Sequence, residues 1–142
     1  MRFVRLIYAS RMTEDCDLDA IQAILAVSRT KNKERDITGV LFYDSLMFMQ
    51  CLEGPRSNVN EVYRSIIRDK RHRKVQLLEY CEATDRLFPD WAMGFLGASD
   101  GNREVLEKYT EASKFDPYRL TASQARDFLV EMAARKRDTL KT

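Results

Sequence analysis

The segment Met47-Phe-Met-Gln-Cys-Leu52 is apolar on both of its faces, and this limits the folds open to the chain. Side chains alternate along a strand, so Phe48, Gln50 and Leu52 point one way and Met47, Met49 and Cys51 the other. The first apolar stretch behaves alike, with Leu6 and Tyr8 opposed by Phe3 and Ile7. Neither face of such strands is polar enough to meet water, so a sheet made of them needs cover on both sides. The first two helices supply one layer; helices near the C-terminus, or a partner protein, supply the other.

The order of elements follows from periodicity and turn chemistry. Phe3 to Ala9 reads as a strand. Asp15-Cys16-Asp17 is an acidic helix start, followed by Leu18, Ile21, Ile24, Leu25 and Ser28 at helical spacing. Arg29, Lys31 and Lys33 sit near that helix's end, where the macrodipole favours cations. Ile37 to Tyr43 and Leu46 to Leu52 form a hairpin about Asp44-Ser45, and Glu53-Gly54-Pro55 is expected to stop it. Ser57 or Asn58 is the expected cap of a second helix burying Val59, Val62, Tyr63, Ile66 and Ile67. Val75 to Cys81 is a fourth strand and Trp91 to Leu96 a fifth. After Gly101 a helical stripe of Val105, Leu106, Tyr109 and Ala112 is broken at Asp116-Pro117. A capping box, Thr121-x-x-Gln124, then opens a last helix through Ala125, Phe128, Leu129, Met132 and Ala133, with a tail from Arg135 expected to fray. The result is an α+β, ferredoxin-like βαββαββ sandwich: a five-stranded mixed sheet, two helices on one face and the C-terminal helices on the other. Residues 1–97 are expected to form the sheet domain and 98–142 a helical extension packed on it.

Composition excludes several classes of function. The chain has 142 residues, enough for one domain with a true core. A net charge of +2 and 32% charged residues give no global field for nucleic acid, and no aromatic platform is interleaved with the basic run Arg68 to Lys74. Cys16, Cys51 and Cys81 with a single histidine, His72, make neither a disulfide framework nor a zinc site. The expected setting is reducing and cytoplasmic, with no signal peptide and no membrane span. No glycine-rich phosphate loop, G-x-S-x-G or H-E-x-x-H motif is present.

Gln50 is the misfit in its strand. A buried amide has two donors and two lone pairs to satisfy, so it is either bonded to backbone in the core or in contact with a ligand. Tyr8 falls on the matching face of the first strand, a neighbour of the third in this topology. It reads as a core tyrosine with a bonded hydroxyl or, beside a redox group, as an electron and proton donor. Asn32 reads as a helix C-cap or as a carboxamide facing a ligand. Asp69, Arg71 and His72 lie in a basic run that is either a solvated helix end or a nucleotide-edge contact. Trp91 and Met93, on alternate positions of the fifth strand, read as core.

Five stretches carry a family resemblance: Arg5-Leu-Ile-Tyr8, Asp36-Ile-Thr-Gly39, Gln50-Cys-Leu-Glu-Gly54, Asp69-Lys-Arg-His72 and Phe88-Pro-Asp-Trp91-Ala-Met93. In this order and spacing, from Val4 to about Phe95, the chain resembles the BLUF family of FAD-binding blue-light sensors. The resemblance implies a non-covalent flavin ring between the first two helices, with Ile24 and Ile66 on its two sides and Phe48 lining the site. Asn32 would bond the polar edge of the ring, and Asp69, Arg71 and His72 would lie near its other end and the ribityl chain. Tyr8 matches the photochemical tyrosine and Gln50 the switching glutamine; Ser28, Trp91 and Met93 match relay positions. Lys31 and Ser65 depart from the family pattern, where relatives carry Asn or His and, in some, arginine.

The mechanism so implied is electron and then proton release from Tyr8, return of both, and a persisting change in the Gln50 hydrogen bonds. Such a rearrangement exchanges one or two hydrogen bonds, on the order of 1–3 kcal/mol, enough to bias a bistable neighbour. Catalytic turnover is not expected. FAD is the expected cofactor, with FMN or riboflavin as substitutes under heterologous expression. A homo-oligomer is expected, and the signal is expected to reach a separate protein, a cyclic-di-nucleotide phosphodiesterase or a transcription regulator. The competing readings are a non-photoactive ferredoxin-like interaction module and a flavin enzyme.

Overall fold

A computed structural model describes residues 3–97, 103–110 and 114–141, without the side chains of 138–141. Five strands, β1 (Phe3–Met12), β2 (Thr38–Asp44), β3 (Met47–Pro55), β4 (His72–Ala83) and β5 (Gly94–Gly97), form one sheet in the order β4-β1-β3-β2-β5. All pairings are antiparallel except β2 with β5, so the sheet is mixed, as expected. Helices α1 (Leu18–Glu34) and α2 (Arg56–Arg68) cover one face, while α3 (Arg103–Lys108), a 3-10 turn at Pro117–Arg119 and α4 (Ala122–Lys141) belong to the other.

The two-sided apolar strands produce two cores. Leu6, Tyr8, Leu41, Phe48 and Leu52 pack with Ile21, Leu25 and Val59 under α1 and α2. Ile7, Ala9, Phe42, Met49 and Cys51 pack with Val105, Phe115, Phe128, Leu129 and Met132 under α3 and α4. Phe128 anchors this second core, its ring edge-on to Phe42 at 5.0 Å and stacked on Phe115 at 4.8 Å.

Local signals explain most element ends. Asp17 caps α1 by accepting from the Ala20 amide at 2.9 Å. Thr121 and Gln124 make both bonds of the capping box at the start of α4. The hairpin turns on Ser45 and Leu46, both at positive φ, the geometry that matches strand twist. Leu46 therefore belongs to the turn and not to the strand.

Several boundaries differ from expectation. β3 does not stop at Leu52, because Arg5, Val4 and Phe3 pair with Glu53, Gly54 and Pro55. Neither Ser57 nor Asn58 caps α2: the helix starts at Arg56 with no side-chain cap, and the Asn58 amide donates instead to the Arg35 carbonyl at 2.9 Å. Leu18 and Ile67 are exposed, lying at the rims of their helical faces. The tail beyond Arg135 stays helical to Lys141, with Lys136 bonded to the Phe95 carbonyl and Arg137 stacked on Trp91. Ala112 lies outside the described residues.

The fifth strand begins at Gly94, so Trp91 and Met93 do not alternate on it. Three different groups take the carbonyls of the preceding residues. The Gly39 amide bonds to Trp91 O at 3.0 Å, Asn32 Nδ2 to Ala92 O at 2.8 Å and Arg29 Nε to Met93 O at 3.0 Å. These bonds fix a non-strand path that sends Trp91 toward the α4 layer and Met93 toward the α1 and α2 layer.

A buried ion network ties β1, β3 and β4 to the loop before that path. Glu53 accepts from Arg5 Nε at 3.1 Å and from the Leu87 and Phe88 amides at 2.9 Å. Arg5 also approaches Glu79 at 3.7 Å, and Glu79 pairs with Arg126 of α4 at 2.9 Å.

Candidate functional site

The β1–β3 register sets Tyr8 directly opposite Gln50, and parity turns both toward α1 and α2. The Tyr8 hydroxyl donates to Gln50 Oε1 at 2.5 Å, and Gln50 Nε2 donates to Met93 Sδ at 3.4 Å. All three side chains are buried. The amide orientation rests on this network, since the strong donor at Tyr8 wants an oxygen opposite it. Burial, with smaller effects of Tyr63 and Asp69, pushes the Tyr8 phenol well above its usual pKa, so it stands as a proton-bearing donor.

Above this pair, α1 and α2 part to leave a cavity of about 290 Å³. That is the lower end of ordinary small-molecule sites, about 300–1,000 Å³. Tyr8, Ile24, Ser28, Asn32, Phe48, Gln50, Ile66, Asp69, Arg71 and His72, the ten residues expected at a ligand, all line it. Ile24 comes from α1 and Ile66 from α2, giving apolar lining from both helices, and Asn32, Gln50, Asp69, Arg71 and His72 add amides and charges to it. This set of apolar and hydrogen-bonding side chains fits a planar aromatic ring with polar edges, which is the chemistry of an isoalloxazine.

Ala23, Val27, Lys31, Arg35, Leu52, Val62 and Ser65 complete the lining. The α1 members continue the Ile24 and Ser28 face at helical spacing, so the 3.6-residue period contained them. Asn32 is not the helix cap. The helix runs on to Glu34, the Arg35 amide closes it, and the buried Asn32 side chain turns inward to hold Ala92. Arg29 is the residue that sequence reasoning missed, since nothing local announces a long-range bond to Met93 O. Of the three relay positions, Met93 touches Gln50, Ser28 lines the cavity, and Trp91 lies against the opposite core.

Asp69 clasps Arg71 through its backbone amide and guanidinium, which holds its carboxyl below the usual range. His72 packs edge-on to Phe48 at 5.0 Å, and its Nδ1 lies 2.9 Å from the buried Ser10 hydroxyl. Burial lowers its pKa from 6.5 to about 4. The unfolded chain therefore takes up the His72 proton first as pH falls, and stability declines between about pH 6.5 and 4 on its account. The full shift corresponds to a loss on the order of 3 kcal/mol. In ligand-free protein, His72→Gln is expected to lose less stability than wild type between pH 7 and 4.5 in urea titrations. An equal loss in both proteins would contradict this environment for His72.

Residues 3–94 match the family model described as "BLUF: Sensors of blue-light using FAD". The antirepressor BluF of Escherichia coli K12, described as blue light- and temperature-regulated, is 36% identical over 67 residues, which cover 47% of this chain and 17% of that protein. The photoactivated adenylate cyclase subunit beta of Euglena gracilis is 31% identical over 91 residues, 63% of this chain and 11% of that one. The chain thus spans less than a fifth of each of these curated relatives. Among solved structures, "BlsA photo-activated state" superposes with a TM-score of 0.83 at 29% identity, covering 92% of this chain and 94% of that chain. "BlrB - a BLUF protein, dark state structure" gives 0.80 at 29% identity, covering 95% and 97%.

Proposed function

Because this chain belongs to the BLUF family of blue-light sensors using FAD, we propose that it is a blue-light receptor in which the Tyr8–Gln50 pair is the photochemical switch. The observation that supports the reading is the buried 2.5 Å bond between these two side chains, both of which line the cavity between α1 and α2. Ile24 and Ile66 would hold the ring from its two sides, and the cavity-lining Asn32, Asp69, Arg71 and His72 would meet its polar groups. The Asn32 NH2 group is engaged by Ala92, which leaves its carbonyl oxygen to accept from a ring N–H. FAD is the proposed form, as in the family's description.

Bound flavin supplies a chromophore that absorbs blue light and becomes a strong electron acceptor when excited. Tyr8 is the donor. Its hydroxyl proton already points at Gln50 Oε1, so loss of an electron makes the phenol acidic and sends the proton along that bond. Return of electron and proton to Tyr8 leaves no net chemistry. Gln50 keeps the memory, because an amide exchanges donor and acceptor without moving charge.

Met93 feels the exchange first, since the present Gln50 orientation gives its sulfur an N–H donor. Arg29 and Asn32 hold the Ala92–Met93 main chain from the cavity side, and Lys136 and Arg137 of α4 hold Phe95 and Trp91 from the other. In this proposal the Trp91–Phe95 segment passes the change to residues 98–142, which present it to a partner protein. The named relatives support a regulator of transcription or nucleotide signalling as that partner. Among the described residues no helix is long and apolar enough to cross a membrane.

Purified protein loaded with FAD is expected to be yellow and to show a small red shift of its flavin band under blue light, reversed in darkness. Loading without any spectral change would favour a ferredoxin-like interaction module. Bleaching with turnover of a substrate would favour a flavin enzyme.

A further inference from the structure

Exposed apolar side chains gather along the seam between α2 and β4. Ile67 of α2 and Leu77 and Tyr80 of β4 all face solvent. Asn60 of α2 donates to the Tyr80 hydroxyl at 3.1 Å. Leu77 lies opposite Tyr8, whose ring meets Tyr63 of the same helix, and Ile67 stands one turn beyond Tyr63. The seam is also basic. Arg64 and Arg68 are exposed, and among the described residues neither has a carboxylate within salt-bridge distance. The acids nearby are already engaged, Glu61 by Arg35, Glu82 by Arg56 and Asp69 by Arg71.

A second apolar anchor sits in the opposite charge. Leu18, at 57% the most exposed large apolar side chain among the described residues, opens α1 between Asp17 and Asp19, with Glu14 and Asp15 just before. All four acids are exposed, and among the described residues none has a cation within salt-bridge distance. Asp17 is engaged only as the helix cap. The two regions are neighbours at one end of the molecule. The Thr13 amide donates to the Arg71 carbonyl at 3.1 Å, which sets the chain before α1 beside the chain after α2.

We propose that the α2–β4 seam is a homodimer surface whose occupant is the α1 start of a second copy, with Leu18 as its anchor. Opposite charges lying side by side are matched by a two-fold axis: each copy gives its acid-ringed leucine and receives its partner's. Such a contact closes at two copies. A single leucine meets a seam with three exposed apolar side chains, and the charges remain at the rim. The dimer is therefore weak and sensitive to salt. It does not depend on the flavin reading.

Sedimentation equilibrium of the purified full chain in the dark tests this. Wild type is expected to show monomer and dimer only, with a dissociation constant that rises about tenfold from low to high salt. Leu18→Ser spares every charge and the Asp17 cap, and is expected to weaken the dimer about tenfold. A triple variant, Glu14→Lys with Asp15→Lys and Asp19→Lys, makes both regions basic. A double variant, Arg64→Glu with Arg68→Glu, makes both acidic. Each is expected to be monomeric alone, and their equimolar mixture to regain the dimer, because every region then meets its opposite. Adding Leu18→Ser to both chains is expected to abolish that gain, which separates docking from simple attraction between oppositely charged proteins. Should the charge variants lose their helical circular dichroism, salt dependence and Leu18→Ser decide alone. Wild type monomeric up to about 1 mM, assemblies growing beyond two copies, or undiminished association in Leu18→Ser would overturn the proposal. So would a mixture of folded charge variants no more associated than its components.

Discussion

Tyr8→Phe is expected to retain flavin and to lose the light-induced red shift altogether. The substitution leaves the ring in its place between Phe48 and Tyr63, at 6.2 and 5.7 Å, so the cavity floor keeps its shape. What disappears is the hydroxyl that donates to Gln50 Oε1. Phenylalanine can release neither the electron at comparable cost nor a proton at all, and Gln50 then has no partner to rearrange against. A buried acceptor left without its donor costs about 1–3 kcal/mol, so the variant should fold but be less stable. Tyr63→Phe is the informative companion. Tyr63 packs against Tyr8 with ring centroids 5.7 Å apart, yet it is not among the cavity-lining residues and has no bond to Gln50 among those described, and its loss is expected to leave the shift in place. A normal shift in Tyr8→Phe, or its loss only in Tyr63→Phe, would assign the chemistry to the other tyrosine.

Glu53→Ala is expected to produce the largest loss of stability of any single side-chain truncation near the site, about 3–5 kcal/mol. Glu53 is 1% exposed and accepts from Arg5 and from two backbone amides of the Leu87–Phe88 loop. Truncation strands the buried Arg5 guanidinium, the buried Phe88 N–H and the partly buried Leu87 N–H at once. Glu79 remains 3.7 Å from Arg5 and offsets part of the effect. Urea unfolding of wild type and variant at pH 7 measures the difference. A change below about 1 kcal/mol would mean that the network is replaceable by water. The loop that Glu53 holds leads into Trp91, so the variant should also relax the path between the cavity and α4.

How much of this was legible in the sequence depended on whether a residue's role is local. Strand parity alone put Tyr8 and Gln50 on one face, and the two-sided apolar character of Met47 to Leu52 foretold two cores. Helical spacing carried Ile24, Ser28 and Ile66 to the same cavity. The capping box of α4 and the acidic start of α1 were local chemistry and needed no tertiary help. The Trp91–Met93 path was not legible, because its conformation is set by donors from Gly39, Asn32 and Arg29, far away in the chain. Parity arguments presume a strand, and here the strand starts only at Gly94. Local sequence leaves Asn32 either as a helix cap or as an inward carboxamide, and the Ala92 carbonyl, far away in the chain, decides for the second. Glu53 looked like part of a terminating turn, since a buried carboxylate cannot be inferred without knowing that Arg5 pairs beside it.

The central claim is that light rearranges the hydrogen bonds of Gln50 while Tyr8 returns to its starting state. Its most direct test is the light-minus-dark infrared difference spectrum of the FAD-loaded protein, recorded with and without isotope-labelled glutamine. A reversible downshift of the flavin C4 carbonyl band is predicted, together with side-chain amide bands that move on glutamine labelling and vanish in Tyr8→Phe. A carbonyl band unmoved by light, or difference bands insensitive to glutamine labelling, would contradict it.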